Sequence, residues 1–503
     1  MTEAAEVGIY FGAGAYPTDA PYSPSEAFPE YPFPTAPPAG QINEAYRAVR
    51  GAFQMLALDP LNIDRPTWNP LGGLIIPGDT VVLKPNFVRD FRESSSAHGD
   101  CLITHGSIIR AVLDYVWIAL RGRGRIIIAD APQNDADFQA ICRIAALSAI
   151  QTFYERNARF RVEVHDLRSE VARKIDGVIV GHTALAGDPA GYVRVDLGRY
   201  SAFSEVNHLC HLLYGAEYDT EEVRRHHTGT HEYLISKTIL NATVVISIPK
   251  LKTHKKVGLT ASLKGIVGIS GNKNWLPHYR EGGPVEGGDQ FGADGTRRRI
   301  ERRVVAGFKR WFPSLGVMRT LVARPAKSVG KRVFGDTNRG VTRSGNWYGN
   351  DTTWRMVLDL NRILLYADAE GRLHHQPVRK CFSIVDGVVS GEGNGPLDAT
   401  PKYSGVVLAG CNPLAVDLAC ARAMGFDYQR IPMLHRALSD HEFPLVTFDY
   451  GDVRGRSNDE RFNRRLAEMH GSLLAFEPHF GWKGHIEVPP SPELNKRVTS
   501  CAE

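Results

Sequence analysis

The sequence predicts an α/β protein whose mostly parallel sheet is covered by helices on both faces. From Pro77 onward, short apolar segments of strand length alternate with amphipathic helical segments, as in sheets built from strand–helix–strand units. Of the 503 residues, 43% are hydrophobic and 23% are charged, so the chain can form one large domain or two smaller ones. Its longest apolar runs fall far short of the roughly 20 residues that cross a bilayer, and no transmembrane helix is expected.

The individual elements follow from their spacing. Apolar residues between Ile108 and Leu120 recur at helical intervals behind Thr104 or Ser107, either of which suits the N-cap. Buried strands are predicted at 80–83, 125–129, 161–164, 243–248, 382–385 and 405–409.

Composition divides the chain into four parts. A proline-rich N-terminal extension with a first helix occupies 1–76, and the α/β core occupies 77–296 and 344–430. A basic amphipathic insertion at 297–343 separates the two core segments, and 431–503 is a C-terminal extension. Eight prolines between residues 15 and 40 exclude helix and central strand there, so we expect an extended surface segment anchored by its aromatics and assign it no function.

The basic insertion carries fourteen Lys and Arg against only Glu301 and Asp336, within a chain of net charge +5. Its apolar residues, including Trp311, favour an amphipathic segment on an anionic membrane surface. A solvated excursion is the alternative. We expect no nucleic-acid partner, because no recognised binding module surrounds the insertion.

The seven cysteines are scattered and form no C-x-x-C pair, so we expect reduced thiols and no iron–sulfur cluster or zinc ribbon. The first residues are acidic and precede no long apolar run, unlike a signal peptide. We therefore expect a cytoplasmic protein, peripheral to the inner face of the membrane if the insertion docks there. The sequence leaves the oligomeric state open.

Polar residues follow five of the predicted strands. In an open parallel sheet, ligands bind at the carboxyl ends of the strands, so these residues are expected to share one crevice. They are Lys84 to Asn86, Asp130, Pro249 and Lys250, Asp386, and Cys411 to Pro413.

The highest density of potentially reactive side chains lies at 250–278, a segment that starts at a strand end and contains six lysines and two histidines. We expect a strand, a basic loop and a short helix whose free N-terminal amides, with nearby lysines and hydroxyls, suit a phosphate or carboxylate. A solvated basic loop is the alternative. His254 and Lys264 are the candidates for proton transfer, and a buried Lys264 could serve as a base or nucleophile. The candidate substrate-binding residues are Lys84, Asn86, Lys250, Lys252, Thr253, Thr260, Asn272, Lys273, His278 and Arg355.

Carboxylates suggest a divalent metal as a candidate cofactor. Asp386 and Glu392 lie six positions apart in a glycine-rich segment, and together with Asp130 they could bind a cation or move protons. A tight surface turn is the alternative for this segment. Asp417 is interpreted as helix-terminal electrostatics. Structural or surface roles are also favoured for one cluster of three histidines, His226, His227 and His231.

Several of these segments together resemble the family known as domain of unknown function 362. The resemblance is carried by VVLKPNFV, THGSIIRAV, IIIADAP, IPKLKTHKKVGLTASLKGIVGISGNKNWLPH and IVDGVVSGEGNGP, and it runs from about Pro77 to Phe426. Gly265 departs from the family, which commonly has Asn there. More distantly, His254 ten positions before Lys264 resembles a motif of nickel-pincer lactate racemases, although the glycine and arginine neighbours of that motif are missing.

The prediction is therefore an enzyme that binds a small phosphorylated or carboxylated metabolite in a crevice lined by Lys and His and transfers a proton there. Its reaction type, substrate and cofactor stay open. One alternative is a non-catalytic, membrane-peripheral scaffold that docks through the basic insertion, and another is a racemase-like or epimerase-like metalloenzyme.

Overall fold

The computed structural model describes most of the chain. The described residues are 5–33, 42–92, 100–175, 178–215, 222–311, 340–471 and 473–489, with 315, 322 and 325. Most of the basic insertion beyond residue 311, part of the proline-rich segment and Cys501 lie outside them.

Seventeen strands are assigned within the described residues. They are β1 (Glu6–Phe11), β2 (Thr80–Pro85), β3 (Arg125–Asp130), β4 (Val162–Asp166), β5 (Glu170–Ile175), β6 (Val178–Ala184), β7 (Tyr192–Asp196), β8 (Leu213–Tyr214), β9 (His226–His227), β10 (Thr230–Ser236), β11 (Val244–Ile248), β12 (Lys250–His254), β13 (Gly258–Thr260), β14 (Tyr279–Arg280), β15 (Lys380–Asn394), β16 (Asp398–Gly410) and β17 (Arg454–Ser457).

The α-helices lie mostly between these strands. They are α1 (Glu44–Met55), α2 (Gly106–Leu120), α3 (Phe138–Ile144), α4 (Leu147–Ala158), α5 (Lys237–Leu240), α6 (Ser262–Gly265), α7 (Thr296–Trp311), α8 (Thr353–Tyr366), α9 (Pro413–Met424) and α10 (Pro432–Ala437).

The central sheet has the order β17-β1-β16-β15-β11-β2-β3-β4. The block from β15 to β4 is parallel throughout, whereas β16 runs antiparallel to both β15 and β1. The predicted α/β class with a mostly parallel sheet is therefore confirmed. The structure also places strands from both predicted extensions, β1 and β17, in this sheet.

Helices cover both faces of the sheet because successive side chains of each strand point to opposite sides. Val82 and Ile127 belong to the hydrophobic core that contains α8 and α9. Their neighbours Val81 and Ile126 belong to the second core, with α1, α2 and α4. The near-continuous apolar runs that predicted these strands reflect burial on both faces.

Some predicted element boundaries differ from the structure. The last two strands are much longer than expected, since β15 and β16 form one long hairpin that extends past the carboxyl edge. The N-cap of α2 is His105, whose ring accepts the Ser107 N–H, and not Thr104 or Ser107. The expected basic loop is largely strand, because 250–254 pairs with both β13 and β15.

The chain order creates a switch point at the carboxyl edge. Strands β2, β3 and β4 are added in one direction, and the chain then returns to place β11 on the other side of β2. The connections after β2 and β11 diverge there, and such a point is where open α/β sheets bind ligands.

Three further expectations concern the chain as a whole. The described part of the chain contains no helix long and apolar enough to cross a bilayer. The six cysteines within it are free thiols. Of the proline-rich segment, Pro21 and Tyr31 anchor to the core because both accept hydrogen bonds from the buried Arg110.

Candidate functional site

A polar cavity of about 60 Å³ lies at the carboxyl ends of β2 and β3. The chain that follows α6 covers it, through two short 3-10 helices at Ile266–Ile269 and Lys273–Trp275. The residues lining the cavity are Lys84, Asn86, Val88, Asp130, Ala131, Pro132, Gln133, Lys264, Gly265, Val267, Gly268, Lys273 and His278. Residues distant in sequence therefore meet at this edge, and six of them belong to the predicted site.

A buried ion pair forms one wall of the cavity. Lys84 Nζ lies 2.6 Å from Asp130 Oδ1 and also donates to the carbonyls of Pro85 and Gly265, at 3.0 and 2.9 Å. Gly268 rests directly on this pair, since a Cβ there would overlap Asp130 Oδ1 and come within 2.7 Å of Lys84 Nζ. Only glycine lets the covering segment approach so closely.

Two other lysines, Lys264 and Lys273, line the cavity and form no ion pair with a carboxylate among the described residues, and we call them the cavity lysines. Lys273 Nζ has one distant acceptor, Val267 O at 3.5 Å. Lys264 Nζ has no hydrogen-bond acceptor among the described residues. Burial, reinforced by the charge of Lys84, lowers the pKa of Lys264 to about 8 and that of Lys273 to about 7.

His278 contributes the imidazole of the cavity. Its Nδ1 lies 2.7 Å from Leu276 O, and a carbonyl only accepts, so Nδ1 carries the proton and Nε2 has the lone pair in the neutral ring. Burial, followed by the charge of Lys256, holds the pKa of His278 well below its usual range. The neutral ring can therefore accept a hydrogen bond or a proton.

His254 is not among the residues that line the cavity. Its Nδ1 accepts the Lys256 N–H at 3.0 Å, and burial, followed by the charge of Lys264, keeps its pKa well below the usual range. The two residues predicted to transfer protons thus interact electrostatically, but only Lys264 reaches the cavity wall.

A second polar cluster lies beside the cavity, where β12 pairs with β15. Lys250 Nζ and Asp386 Oδ2 form a fully buried ion pair at 2.6 Å. Lys252 Nζ donates to Asn86 Oδ1 at 2.7 Å and to Leu102 O at 2.6 Å, and burial lowers its pKa to about 7. Lys250 and Lys252 thus have partners within the protein and are less available to a ligand than the cavity lysines.

Sequence reasoning missed Tyr16, which completes this second cluster. Its hydroxyl donates to Asp386 Oδ1 at 2.5 Å and accepts from Lys250 Nζ at 2.6 Å. Its ring stacks on His105 with centroids 4.0 Å apart. An aromatic anchor was expected in the proline-rich segment, but no sequence signal connects that segment to a lysine more than 200 residues away.

The N-terminus of α6 is not open to a ligand, contrary to the prediction. The first amides, Ser262 N–H and Leu263 N–H, donate to the two oxygens of Asp417 at 2.6 and 3.0 Å. Burial raises the pKa of Asp417 to about 7. Asp417 does act in helix-terminal electrostatics, but it caps a helix other than its own.

Besides Lys250 and Lys252, four predicted substrate-binding residues lie outside the cavity lining. Thr253 donates to Gly393 O at 2.9 Å, and Asn272 donates to Glu170 at 3.2 Å. The hydroxyl of Thr260 is buried and has no hydrogen-bond partner within the described chain. Arg355 Nη1 forms a salt bridge with Glu205 at 2.7 Å, so its guanidinium is engaged within the protein and does not face the cavity as a ligand-binding group.

The three candidate metal-binding carboxylates do not form one cluster. Each pairs with its own lysine, since Glu392 binds Lys402 at 2.9 Å while Asp386 and Asp130 form the ion pairs described above. No group of three potential metal ligands occurs among the described residues. His226 and His231 hydrogen-bond instead to Trp275 O and Asn207 Oδ1, each at 3.0 Å.

Comparisons with known proteins give little beyond a family. Residues 177–422 match the family described as "Domain of unknown function (DUF362)". No curated protein matches the chain. A protein from Thermotoga maritima, known from its crystal structure, is similar at 11% identity and a TM-score of 0.31, over 71% of this chain and 57% of that one. The chain thus spans little more than half of that protein's length, and no likeness to lactate racemases is shown.

Proposed function

We propose that this chain, whose residues 177–422 belong to the domain of unknown function 362 family, binds a small anionic metabolite in the cavity between β2, β3 and the 264–278 segment. One observation carries the proposal. Three lysines, Lys84, Lys264 and Lys273, line the cavity together with a single carboxylate, Asp130.

The imbalance of charge is costly without a ligand. Lys273 is buried and Lys264 is half-buried, and an ammonium group that loses part of its contact with water without gaining a carboxylate loses hydration free energy. The lowered pKa values of the cavity lysines express that cost. An anion between them would restore the charge balance and supply acceptors to both. The cavity is thereby proposed as a positive site that ion pairs among the described residues do not neutralise.

The size and polarity of the cavity favour a carboxylate or phosphate on a small molecule. A volume of about 60 Å³ holds only a few water molecules, since one water occupies about 30 Å³ in the liquid. Lys264, with a pKa of about 8, gains or loses a proton near neutral pH, and the neutral imidazole of His278 lines the same cavity, so the anion is proposed to be a substrate for proton-transfer chemistry. Lys273 is the proposed binding group.

An anion panel tests this function. Thermal shift and calorimetry with inorganic phosphate, lactate and pyruvate should detect at least one ligand for the wild type. Lys273→Met should weaken that binding by about tenfold or more, because a charge-assisted hydrogen bond is lost. Lys483→Met removes an exposed lysine that pairs with Glu477 and should leave binding unchanged. Equal binding by both variants would exclude the cavity as the site.

The alternative of a membrane-peripheral protein is supported by a specific feature of α7. Ile300, Val304 and Trp311 are 54%, 52% and 51% exposed, and intervals of four and seven residues put them on one helix face. Arg299 and Arg303 beside them are exposed as well. An apolar stripe flanked by arginines suits the surface of an anionic bilayer.

Vesicle sedimentation tests this alternative separately. The full chain should co-sediment with vesicles of phosphatidylcholine and phosphatidylserine, and Val304→Asp should reduce the bound fraction several-fold. Leu61→Asp, at an 82% exposed leucine outside the helix, is the matched control. If neither vesicle composition nor Val304→Asp changes sedimentation, α7 does not bind membranes.

A further inference from the structure

The lysines at this edge of the sheet differ in how their ammonium groups are satisfied. Lys84 has one carboxylate and two carbonyl acceptors, and Lys250 has Asp386 and the Tyr16 hydroxyl. An ammonium group has three N–H donors and no lone pair. Within the part of the chain that the structure describes, Lys264 has no acceptor for any of its three N–H donors. Hydrogen bonds from the protein therefore stabilise its charged form less than those of the other lysines at this edge.

The neutral amine of Lys264 is consequently available for covalent chemistry. It lines the cavity wall near Lys84, whose positive charge opposes protonation. Burial together with a neighbouring cation is the combination that activates lysine nucleophiles toward carbonyl groups. Near pH 8, about half of the Lys264 side chains carry the lone pair that such a reaction needs.

From this arrangement we propose that Lys264 forms an imine with a small oxo acid whose carboxylate is held by Lys273. The inference rests on the proposed anion site and names the substrate class for it. A carbonyl compound of two or three carbons matches the volume of about 60 Å³, whereas a nucleotide or sugar phosphate exceeds it. Lys273 selects the acid over a neutral aldehyde by charge.

The reaction balances without any further reactant. The lone pair of Lys264 Nζ forms the N–C bond, the carbonyl π electrons move to oxygen, and a proton passes from nitrogen to that oxygen to give a carbinolamine. The C–O bond then breaks, the second nitrogen proton leaves with the oxygen as water, and the C=N bond forms. His278 lines the same cavity with an unprotonated Nε2 and is the candidate carrier of these protons.

Reductive trapping tests the inference. The full chain is incubated with glyoxylate or pyruvate, treated with borohydride, and analysed by intact-mass measurement and peptide mapping. We expect one reduced adduct per chain, located on Lys264, and none in Lys264→Met. If that variant folds poorly, Lys264→Arg, which keeps the charge and approximate length of the side chain, should also give no adduct. Lys483→Met should label like the wild type.

The role of Lys273 is tested in the same assay. Lys273→Met should slow trapping of glyoxylate by about tenfold while trapping of acetaldehyde, which has no carboxylate, changes little. Labelling that is spread over many lysines, or that persists in both Lys264 variants, would overturn the inference. Anion-dependent thermal shifts without any trapping would refute the imine and leave the proposed anion site standing, whereas the absence of both would refute both.

Discussion

Replacing Tyr16 by Phe should destabilise the protein through one buried hydroxyl. The Tyr16 hydroxyl donates to a buried carboxylate at 2.5 Å and accepts from the Lys250 ammonium at 2.6 Å and from Val389 N–H at 3.1 Å. Asp386 keeps Lys250 and the His105 N–H as partners, so no charge is orphaned. Hydrogen bonds to charged groups contribute about 1.5–3 kcal/mol each, and the pair acts as a unit, so we expect a loss of about 3 kcal/mol.

Denaturant titration followed by tryptophan fluorescence measures this loss. The matched control is Tyr22→Phe, because the Tyr22 ring also contacts His105, with centroids 5.2 Å apart, and its hydroxyl has no hydrogen-bond partner among the described residues. The transition midpoint should fall clearly for Tyr16→Phe and stay near the wild-type value for the control. If the two variants unfold together, the buried network contributes no net stability and the reasoning is wrong.

Three further predictions concern the same edge of the sheet. Anion affinity should fall between about pH 7 and pH 9, since the cavity lysines have pKa values of about 7 and 8 and lose their charge across that range. Calorimetry in two buffers of different ionisation enthalpy should reveal proton uptake on binding, and equal heats would contradict it. Gly268→Ala should lower the denaturant midpoint because its Cβ would overlap Asp130, whereas Gly73→Ala, with open space around that position, should not. Finally, the pKa of about 7 for Asp417 means that the native state binds more protons than the unfolded state between about pH 4 and pH 7, so wild-type stability decreases as pH rises through that window. Asp417→Asn should remove this part of the pH dependence in a series of denaturation curves, and an unchanged slope would exclude the assignment.

The candidate cavity was predictable where residues follow a strand directly. Lys84 and Asp130 end adjacent parallel strands, and their meeting follows from the rule that such ends share one edge. Lys264, Lys273 and His278 were found as a basic cluster following a strand. The sequence could not distinguish Lys264, which has no acceptor among the residues that the structure describes, from the paired lysines. Pairing depends on which carboxylates and carbonyls the other segments bring within hydrogen-bond distance.

The errors share a physical cause. Free amides were expected at the start of the short helix predicted within 250–278, but α9 brings Asp417 to them from more than 150 residues away. Each carboxylate that was predicted to bind a metal instead forms an ion pair with a lysine. In a buried setting, the attraction within such a pair offsets the desolvation free energy of both charges. A local pattern contains no information about a partner that arrives from another element.

The sequence by itself determined the layered architecture and the sheet edge where the polar candidate residues lie. Apolar runs of strand length indicate burial on two faces, and polar residues directly after them mark the strand ends, and both are local properties of the sequence. Only the tertiary structure decided which charges are neutralised and which remain. Lys250 is matched by Asp386 and Tyr16, whereas Lys264 is left without an acceptor in the described chain. That distinction depends on distances of a few ångströms between segments hundreds of residues apart, and electrostatic free energies change steeply over such distances in a buried site.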